Sequence, residues 1–417
     1  MSGDLDRALG QSTAVAALRA GFAEAGIEAW LVGGVVRDAL LGRPLTDVDL
    51  AVAGDVEQAA RVAARALGGP RFPLSERFGG WRALSRDRAV TCDLSPLQGE
   101  TIAADLAQRD FTLNALAVPL AGGAPLDPFG GAADLAAGRL RVLGAAAYDA
   151  DPLRPLRLVR LAAELGMAPD AETERLTAAA APRLAEPAGE RVFGELRRLL
   201  TAPGAIAGLR LAERLGVLAA ILPEVAALEG VEQSRYHHLD VYEHTLAVLE
   251  EQIALLEPDR LAEVLGADAA EVGAVLAEPL ADELTRGEAL RFGALFHDVA
   301  KPQTRAARLS VLPVVLKEKL EAVRALTPGV WSRPPTFAES RHHTPVTPSK
   351  IQGTTPKDFI AMAASTGGPA AVTKVLSRLQ ADPRCAVLVA QHMPDTFTRT
   401  FAERVNRHSA LAVSEAG

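Results

Sequence analysis

The sequence is poor in the residues that build disulfide frameworks and aromatic cores. It has 2 cysteines among 417 residues, Cys92 and Cys385, and only 4% of its residues are aromatic. Cysteines so far apart give neither a disulfide framework nor a zinc-binding spacing, and they fit a reducing cytoplasm. No apolar run reaches the ~20 residues of a membrane span, and the N-terminus lacks the basic-then-apolar order of a signal peptide. We therefore expect a cytoplasmic protein without membrane insertion.

Net positive charge is missing as well. The formal net charge is -8, so any contact with nucleic acid must come from local basic patches rather than from overall attraction. Hydrophobic residues are abundant at 49%, with few aromatics among them. This composition favours a largely helical protein with a well-buried core, and the length predicts two to four domains.

The stretch from Leu31 to Val52, LVGGVVRDALLGRPLTDVDLAV, combines a glycine pair with two aspartates. We predict a strand over Thr46–Val52 in which Asp47 and Asp49 point to one side, because side chains alternate along a strand. Two carboxylates on one face can bind Mg²⁺, because this hard ion prefers oxygen ligands and keeps coordination positions for phosphate oxygens. The Gly33–Gly34 turn lets backbone N–H groups approach an anion.

A second motif is QRDFTLNALAV, at Gln108–Val118. Arg109 and Asp110 can hold a sugar and a phosphate at once, as a donor fork and an acceptor. Asn114 lies four residues beyond Asp110, one helical turn along the same face. Earlier in the chain, Asp93 fits either a further carboxylate of the site or a surface residue at the end of a strand.

A third motif is DADPLRPLRLVRLAAEL. Asp151, Arg154, Arg157 and Arg160 are spaced by three residues, which predicts that they share one face of a helix. A carboxylate and a guanidinium one turn apart present an acceptor–donor edge to a nucleobase. The alternative is a basic helix face that is solvated or ion-paired, which fits Arg160 better than Asp151 with Arg154.

Together, GG-x-x-R-D, D-x-D and R-D-F-T-x-N-A resemble the class II tRNA nucleotidyltransferase (CCA-adding) and bacterial poly(A) polymerase family. The resemblance implies that Asp47 and Asp49 are catalytic and bind two Mg²⁺ ions. It implies transfer of CMP or AMP from CTP or ATP, without a template, to the 3′ end of tRNA or another RNA. The nucleotide-binding residues implied are Gly33, Gly34, Arg37, Arg109, Asp110, Asn114, Asp151, Arg154 and Arg157. Ala150 stands where many relatives have an acidic residue.

A histidine region follows. A histidine, His244, followed later in the chain by the adjacent residues His297 and Asp298, resembles the pattern of the HD phosphohydrolase superfamily. A complete metal site of that superfamily needs a further aspartate from a later helix, and relatives also show a Gly-His-Glu. Neither is visible in this sequence, so we expect a partial HD domain without phosphohydrolase activity. We interpret His237–His238 as a polar helix entry.

The C-terminal segment carries a different chemistry. Ser365 lies at a predicted strand-to-helix turn and His392 at the end of the next strand, where they can meet as nucleophile and base in a parallel α/β sheet. AST-G-G-P and QHMP resemble the catalytic domain of the chemotaxis protein-glutamate methylesterase, which implies a methylated chemoreceptor as partner. The aspartate of that family's triad does not occur before Gly417. A Ser–His pair without it is slower by orders of magnitude, so an inactive fusion, from gene rearrangement or sequence assembly, is the alternative.

Apolar periodicity predicts helices at Thr13–Ala25 and Val56–Leu67, a strand at Ala29–Val32, and a hairpin of Trp81–Leu84 with Ala89–Leu94. We therefore expect an α/β nucleotidyltransferase head, an all-α neck and body, and a partial parallel α/β segment of methylesterase type.

The expected boundaries are 1–125 for the head, 126–230 for the neck that selects bases and binds RNA, 231–305 for the partial HD domain, 306–355 for a helix and proline-rich linker, and 356–417 for the truncated methylesterase-like domain.

Overall fold

The computed structural model describes residues 2–75, 79–231, 239–281, 284–302, 358–364, 373, 376, 385–391 and 395–409. These form two compact units, the first from residues 1–187 and 214–217 and the second from 188–213 and 218 onward. None of the helices in these ranges is both long enough and apolar enough to cross a membrane.

The first unit contains both strands and helices. Its strands are β1 (Ala29–Val32), β2 (Asp47–Val52), β3 (Gly68–Ser75), β4 (Gly80–Ser85), β5 (Thr91–Pro96), β6 (Ala117–Pro119), β7 (Arg139–Leu140) and β8 (Ala168–Pro169). Its helices are α1 (Ser2–Gln11), α2 (Thr13–Ala25), α3 (Gly34–Leu40), α4 (Val56–Leu67), α5 (Ile102–Ala107), α6 (Gly131–Ala136), α7 (Ala145–Ala150), α8 (Arg154–Leu165) and α9 (Ala171–Ala180), with short 3₁₀ turns at Thr112–Asn114 and Ala181–Ala185.

The rest of the described chain is mostly helical. Its helices are α10 (Gly189–Thr201), α11 (Ala205–Arg214), α12 (Val217–Ile221), α13 (Pro223–Ala226), α14 (Val241–Leu255), α15 (Pro258–Leu265), α16 (Ala269–Leu276), α17 (Arg286–Phe296) and α18 (Asp395–His408). Its strands are β9 (Pro279–Ala281), β10 (Leu284–Thr285), β11 (Asp358–Ala364) and β12 (Cys385–Gln391), and a 3₁₀ turn spans Gly266–Asp268.

A six-stranded sheet organises the first unit, in the order β3-β4-β5-β2-β1-β6. Strands β2 and β5 run parallel, and the other neighbours are antiparallel. The main apolar core packs the first four helices against one face, where Phe22, Leu31 and Leu50 are at most 2% exposed. A smaller cluster around Ala51 and Leu106 covers only part of the other face.

Local signals explain several element ends. The Ser12 side chain accepts the backbone N–H of Val15 and caps α2, and Gly26 ends that helix with a φ of +65°. Asp55 caps α4 in the same way by accepting the N–H of Gln58. Because such caps satisfy N–H groups that lack intrahelical partners, they fix where a helix begins.

The predicted helices α2 and α4, the strand β1 and the β4–β5 hairpin are confirmed, with β4 and β5 shifted by a few residues. The predicted strand at Thr46–Val52 begins one residue later, at Asp47. Strand β3 was not predicted, because its sequence GGPRFPLS contains Pro70 and Pro73. It tolerates them because it lies at the edge of the sheet, where a missing N–H removes no central hydrogen bond.

Candidate functional site

The predicted pair of carboxylates lies at the start of β2. Asp47 is exposed and Asp49 half-buried, whereas Val48 and Leu50 are at most 1% exposed and face the core. The alternation predicted from sequence is therefore present. Burial, together with the neighbouring carboxylates of Asp93 and Asp47, raises the pKa of Asp49 to about 6, against the partial opposition of two nearby arginines.

Asp93 lies beside this pair, opposite Asp49 in the register of β5 and β2. Its carboxylate accepts hydrogen bonds from Nε and Nη2 of Arg82, both at 2.7 Å. The site face thus gathers three carboxylates, one of which is already ion-paired. Sequence reasoning left the place of Asp93 open and did not identify Arg82, whose position opposite Asp93 depends on strand register.

The glycine pair packs directly against Asp49. Gly33 has a φ of +68°, and a Cβ built there would lie 2.9 Å from Arg109 Nη1 and 3.8 Å from Asp49 Oδ2. A Cβ on Gly34 would lie 3.5 Å from Arg37 Nη2 and 3.6 Å from the same carboxylate oxygen. A side chain on Gly33 would therefore displace Arg109, whereas a Cβ on Gly34 would make ordinary van der Waals contacts with Arg37 and Asp49.

A chain of hydrogen bonds links the glycine motif to the second and third motifs. Arg37 Nη1 donates to Asn114 Oδ1 at 2.9 Å, and Asn114 Nδ2 donates to Asp110 Oδ1 at 2.9 Å. Arg157 Nη1 donates to the other oxygen of Asp110 at 3.1 Å. Burial alone would raise the pKa of Asp110, but Arg157 and Asn114 outweigh it and hold that pKa below its usual value.

Arg109 is fixed by a residue that sequence reasoning missed. Its Nε and Nη2 donate to Asp105 Oδ2 at 3.0 and 2.9 Å. Asp105 is 2% exposed and lies in helix α5, and Arg109 follows it by four residues, just past the end of that helix. The i, i+4 spacing of an acid and an arginine was a signal that would have found this pair.

The third motif is arranged differently from the prediction. Helix α8 begins at Arg154, and Asp151 precedes it with an extended backbone, so the prediction that all four residues share a helical face is wrong for Asp151. The reason is Pro152, because a proline disfavours helical geometry at the residue before it. Asp151 Oδ2 still lies 3.8 Å from Arg157 Nη2.

Arg154 and Arg160 both have partners within the protein. The Arg154 guanidinium donates to the backbone carbonyls of Gln108, Arg109 and Ala147 at 2.9–3.2 Å. It therefore joins α8 to the segment that carries Arg109. Arg160 is 5% exposed and pairs with Glu164, which agrees with the ion-paired alternative for that residue.

The histidine region brings its three predicted residues together. His297 Nε2 lies 3.4 Å from His244 Nε2 and 3.1 Å from Asp298 Oδ2, and one potential ligand atom from each lies within 4.8 Å of the others. His297 Nδ1 lies 2.7 Å from the carbonyl of Ala294, an acceptor, which leaves Nε2 for the cluster. Lys301 Nζ lies 2.6 Å from Asp298 Oδ2, so this carboxylate already has a cationic partner. In the described ranges, the cluster has these three side chains as its potential ligands.

The C-terminal segment contains a parallel pair of strands. Strands β11 and β12 pair over seven residues, from Asp358 opposite Cys385 to Ala364 opposite Gln391. The two predicted catalytic residues, Ser365 and His392, lie outside the described residues, as do His237–His238 and the 306–355 linker.

Three protein families match parts of the chain. Residues 29–141 match the Poly A polymerase head domain. Residues 166–228 match a family described as the probable RNA and SrmB-binding site of polymerase A. Residues 360–417 match the CheB methylesterase family. The chain thus joins polymerase-type head and RNA-binding segments to a methylesterase segment.

Individual relatives agree with the first two matches. The chain is 50% identical over 181 residues to a CC-adding tRNA nucleotidyltransferase of Geobacter sulfurreducens, which covers 43% of this chain and 42% of that protein. It is 38% identical over 281 residues to an A-adding tRNA nucleotidyltransferase of Deinococcus radiodurans, over 66% of this chain and 57% of that protein. The chain thus spans about half the length of the relatives it matches.

A solved structure shows the same fold. It is the Thermotoga maritima CCA-adding enzyme complexed with tRNA, at 24% identity and a TM-score of 0.52, covering 78% of this chain and 79% of that one.

Proposed function

We propose that this chain, which carries the head and RNA-binding segments of the tRNA nucleotidyltransferase and poly(A) polymerase family, adds CMP or AMP to the 3′ end of tRNA. The observation that carries the proposal is that three separated motifs meet at one place. Asp49, the glycine pair, Arg37, Arg109 and Asn114 form one continuous set of contacts. The relatives named above support tRNA as the acceptor.

In the reaction proposed, the 3′ hydroxyl of the RNA attacks the α-phosphate of the nucleoside triphosphate, and pyrophosphate leaves. We assign Arg37 and Arg109, whose guanidinium groups lie against the glycine turn, to binding of the triphosphate. We assign Asp110 and Asn114 to orientation of the nucleotide, and the hydrogen bond from Asn114 Nδ2 to Asp110 Oδ1 fixes both side chains. Such positioning lowers the barrier by turning an encounter of two molecules into a reaction within one complex.

The carboxylates fit divalent metal ions. Oxygen donors from Asp47 and Asp49 are the ligand type that Mg²⁺ prefers, and burial together with the neighbouring carboxylates of Asp93 and Asp47 raises the pKa of Asp49 to about 6. We assign Asp47 and Asp49 as the residues that hold Mg²⁺. When bound, the metal supplies activation of the attacking hydroxyl and stabilisation of the charge on the phosphate.

Base selection is assigned to the start of α8. Asp151 supplies a carboxylate and Arg154 a guanidinium at the start of this helix, and Arg157 pairs with both Asp151 and Asp110. An acceptor and a donor at fixed separation can bind the edge of C or A. We assign residues 1–125 to the head, 126–230 to the neck, 231–305 to a partial HD domain, 306–355 to a linker and 356–417 to the methylesterase-like segment, in a cytoplasmic protein.

The proposal is tested by nucleotide incorporation. A tRNA that ends before CCA is incubated with the full chain and with CTP, ATP or both, and the product lengths are read. We expect addition that requires a divalent ion and is abolished by the Asp47→Ala, Asp49→Ala double variant. Unchanged nucleotide incorporation by that variant would contradict the proposal. The product lengths distinguish CC, A and CCA addition.

A second candidate function is favoured by one observation in the C-terminal segment. Strands β11 and β12 are parallel and in register at their ends, the residues Ser365 and His392 come next in the sequence, and residues 360–417 match the CheB methylesterase family. We propose a methylesterase-like fold there, with a methylated chemoreceptor as substrate. Methanol release from such a receptor, and its loss in Ser365→Ala, tests this activity. An absence of release would leave the inactive fusion.

A further inference from the structure

The sheet face that carries the carboxylates extends across four strands to the edge of the sheet. In register, Asp49 lies opposite Asp93, Asp93 opposite Arg82, and Arg82 opposite Phe72. Side chains of residues directly opposite each other project from the same face. Phe72 on β3 therefore shares a face with Asp49, at roughly 14 Å if three strand spacings are added.

The residues one position away along the same strands show which face of the sheet is covered by the core. Val48, Cys92 and Ala83 are paired in register one position away and are at most 1% exposed. They point into the helix-covered core. Since neighbouring residues of a strand face opposite ways, the row from Asp49 to Phe72 faces away from that core.

The edge of this open face is apolar. Phe72 is 41% exposed and Leu74 is 45% exposed. A Cβ built on Gly80 would lie 3.9 Å from Leu74 Cβ, which places Leu74 on the side of Gly80 and Arg82. We call Phe72, Leu74 and the adjoining Arg82 the edge patch. Large apolar side chains exposed together are typical of a surface that binds a partner.

Different groups lie on the two sides of the carboxylates along the sheet. On the β1 and β6 side lie the groups assigned to the nucleotide, since Gly33 directly follows β1 and Asn114 precedes β6. In phosphoryl transfer, the attacking and leaving oxygens stand roughly in line, on opposite sides of the phosphorus. With the triphosphate on the β1 and β6 side, this geometry favours an approach of the acceptor strand from the β5, β4 and β3 side, across Asp93 and the edge patch.

We propose that the edge patch binds the single-stranded 3′ end of the acceptor RNA, with Phe72 stacking on a base a few nucleotides before the reacting hydroxyl. This rests on the proposed function, which puts the hydroxyl at Asp49. An exposed aromatic ring suits an unpaired base, because every base has a flat face and stacking tolerates any sequence. Arg82, held by Asp93, supplies a planar cation beside the ring.

The test measures binding of fluorescently labelled RNA by the full chain, without nucleotides. One hairpin has a single-stranded 3′ end that stops before CCA, and the other is blunt. For Phe72→Ala we expect the Kd for the first hairpin to rise about tenfold and the Kd for the blunt hairpin to stay unchanged. Phe72→Trp restores binding, because it keeps a stacking ring.

Leu255→Ala is the matched control. Leu255 is also an exposed large apolar residue, at 40%, and lies in helix α14, so its loss leaves both Kd values unchanged. Equal Kd values for wild type and Phe72→Ala overturn the inference. So does an equal loss for both hairpins, or a change from dimer to monomer with RNA binding intact, which would assign the patch to a second copy of the chain.

The same variants separate this inference from the proposed function. If wild type adds nucleotides and Phe72→Ala has an unchanged KM for RNA, the inference fails and the proposed function stands. If wild type adds none, the proposed function fails whatever Phe72 does. With both correct, Phe72→Ala raises KM for RNA about tenfold and leaves KM for the nucleotide unchanged.

Discussion

Gly33 has a left-handed backbone, and a Cβ on it would meet Arg109 Nη1 at 2.9 Å. Gly42 has nearly the same φ, +65°, but a Cβ there would meet nothing within 4 Å. Alanine at either position costs about 1–3 kcal/mol of backbone strain, and Gly33 also has a ψ of -126°, outside the left-handed helical region. We therefore expect Gly33→Ala to lower kcat/KM for the nucleotide ten- to a hundredfold, on the order expected for a displaced binding group, and Gly42→Ala to lower only Tm. Equal kinetics for the two variants would show that the closeness of Arg109 to the turn has no catalytic role.

The raised pKa of Asp49 leads to a second prediction at the residue scale. Its pKa is raised to about 6, so the folded state binds its proton more tightly than the unfolded chain does. The folded state therefore loses stability as pH rises from about 4 to about 6. Without divalent ions, Asp49→Asn should be more stable than wild type at pH 7 by roughly 1–2 kcal/mol, after allowance for solvent screening. The difference should vanish below about pH 4.

Urea unfolding at several pH values measures this difference. Asp259→Asn, an exposed residue in the first turn of α15, is the control and should change little at any pH. Adding Mg²⁺ should stabilise wild type and leave Asp49→Asn nearly unchanged, because binding to the folded state alone raises stability. A wild-type stability that rises between pH 4 and pH 6 relative to the variant would contradict the assigned charge cluster.

At the scale of elements, helix α8 connects the third motif to the second. Arg154 donates to three backbone carbonyls, two of them in the segment that carries Arg109. Lysine keeps the charge but loses the planar fork that serves several acceptors. We expect Arg154→Lys to lower kcat/KM for CTP and ATP about tenfold, the scale of one lost hydrogen bond, and to lower it less for UTP and GTP.

Competition between the four nucleotides on one RNA checks this prediction. Arg175→Lys on α9 is the control, since Arg175 forms an exposed ion pair with Glu172, and it should leave all four rates unchanged. An equal loss for all four nucleotides would mean that Arg154 anchors the Arg109 segment and does not read the base.

At the scale of the whole molecule, the proposed activities lie in separate segments, and their losses should be independent. We expect Ser365→Ala to abolish any methanol release and to leave nucleotide addition unchanged. The Asp47→Ala, Asp49→Ala double variant should do the reverse. Both assays on one preparation of each protein measure this, with thermal unfolding as the check on folding. Loss of both activities in either variant would contradict their independence.

The sequence by itself determined the elements and the candidate residues that depend on local order. Helices α2 and α4 and strand β1 follow from apolar periodicity and caps within a few residues. The orientation of Asp47 and Asp49 follows from the two-residue period of a strand. These properties are set by neighbours in the chain, so a single sequence carries them.

Only the tertiary structure decided what meets across strands and motifs. The pairing of Arg82 with Asp93 and the row from Asp49 to Phe72 depend on register, which many distant contacts set together. The extended backbone at Asp151 was readable from Pro152, but the three carbonyls that hold Arg154 were not. Strand β3 was hidden by its prolines, because an edge position is a property of the assembled sheet and not of its sequence.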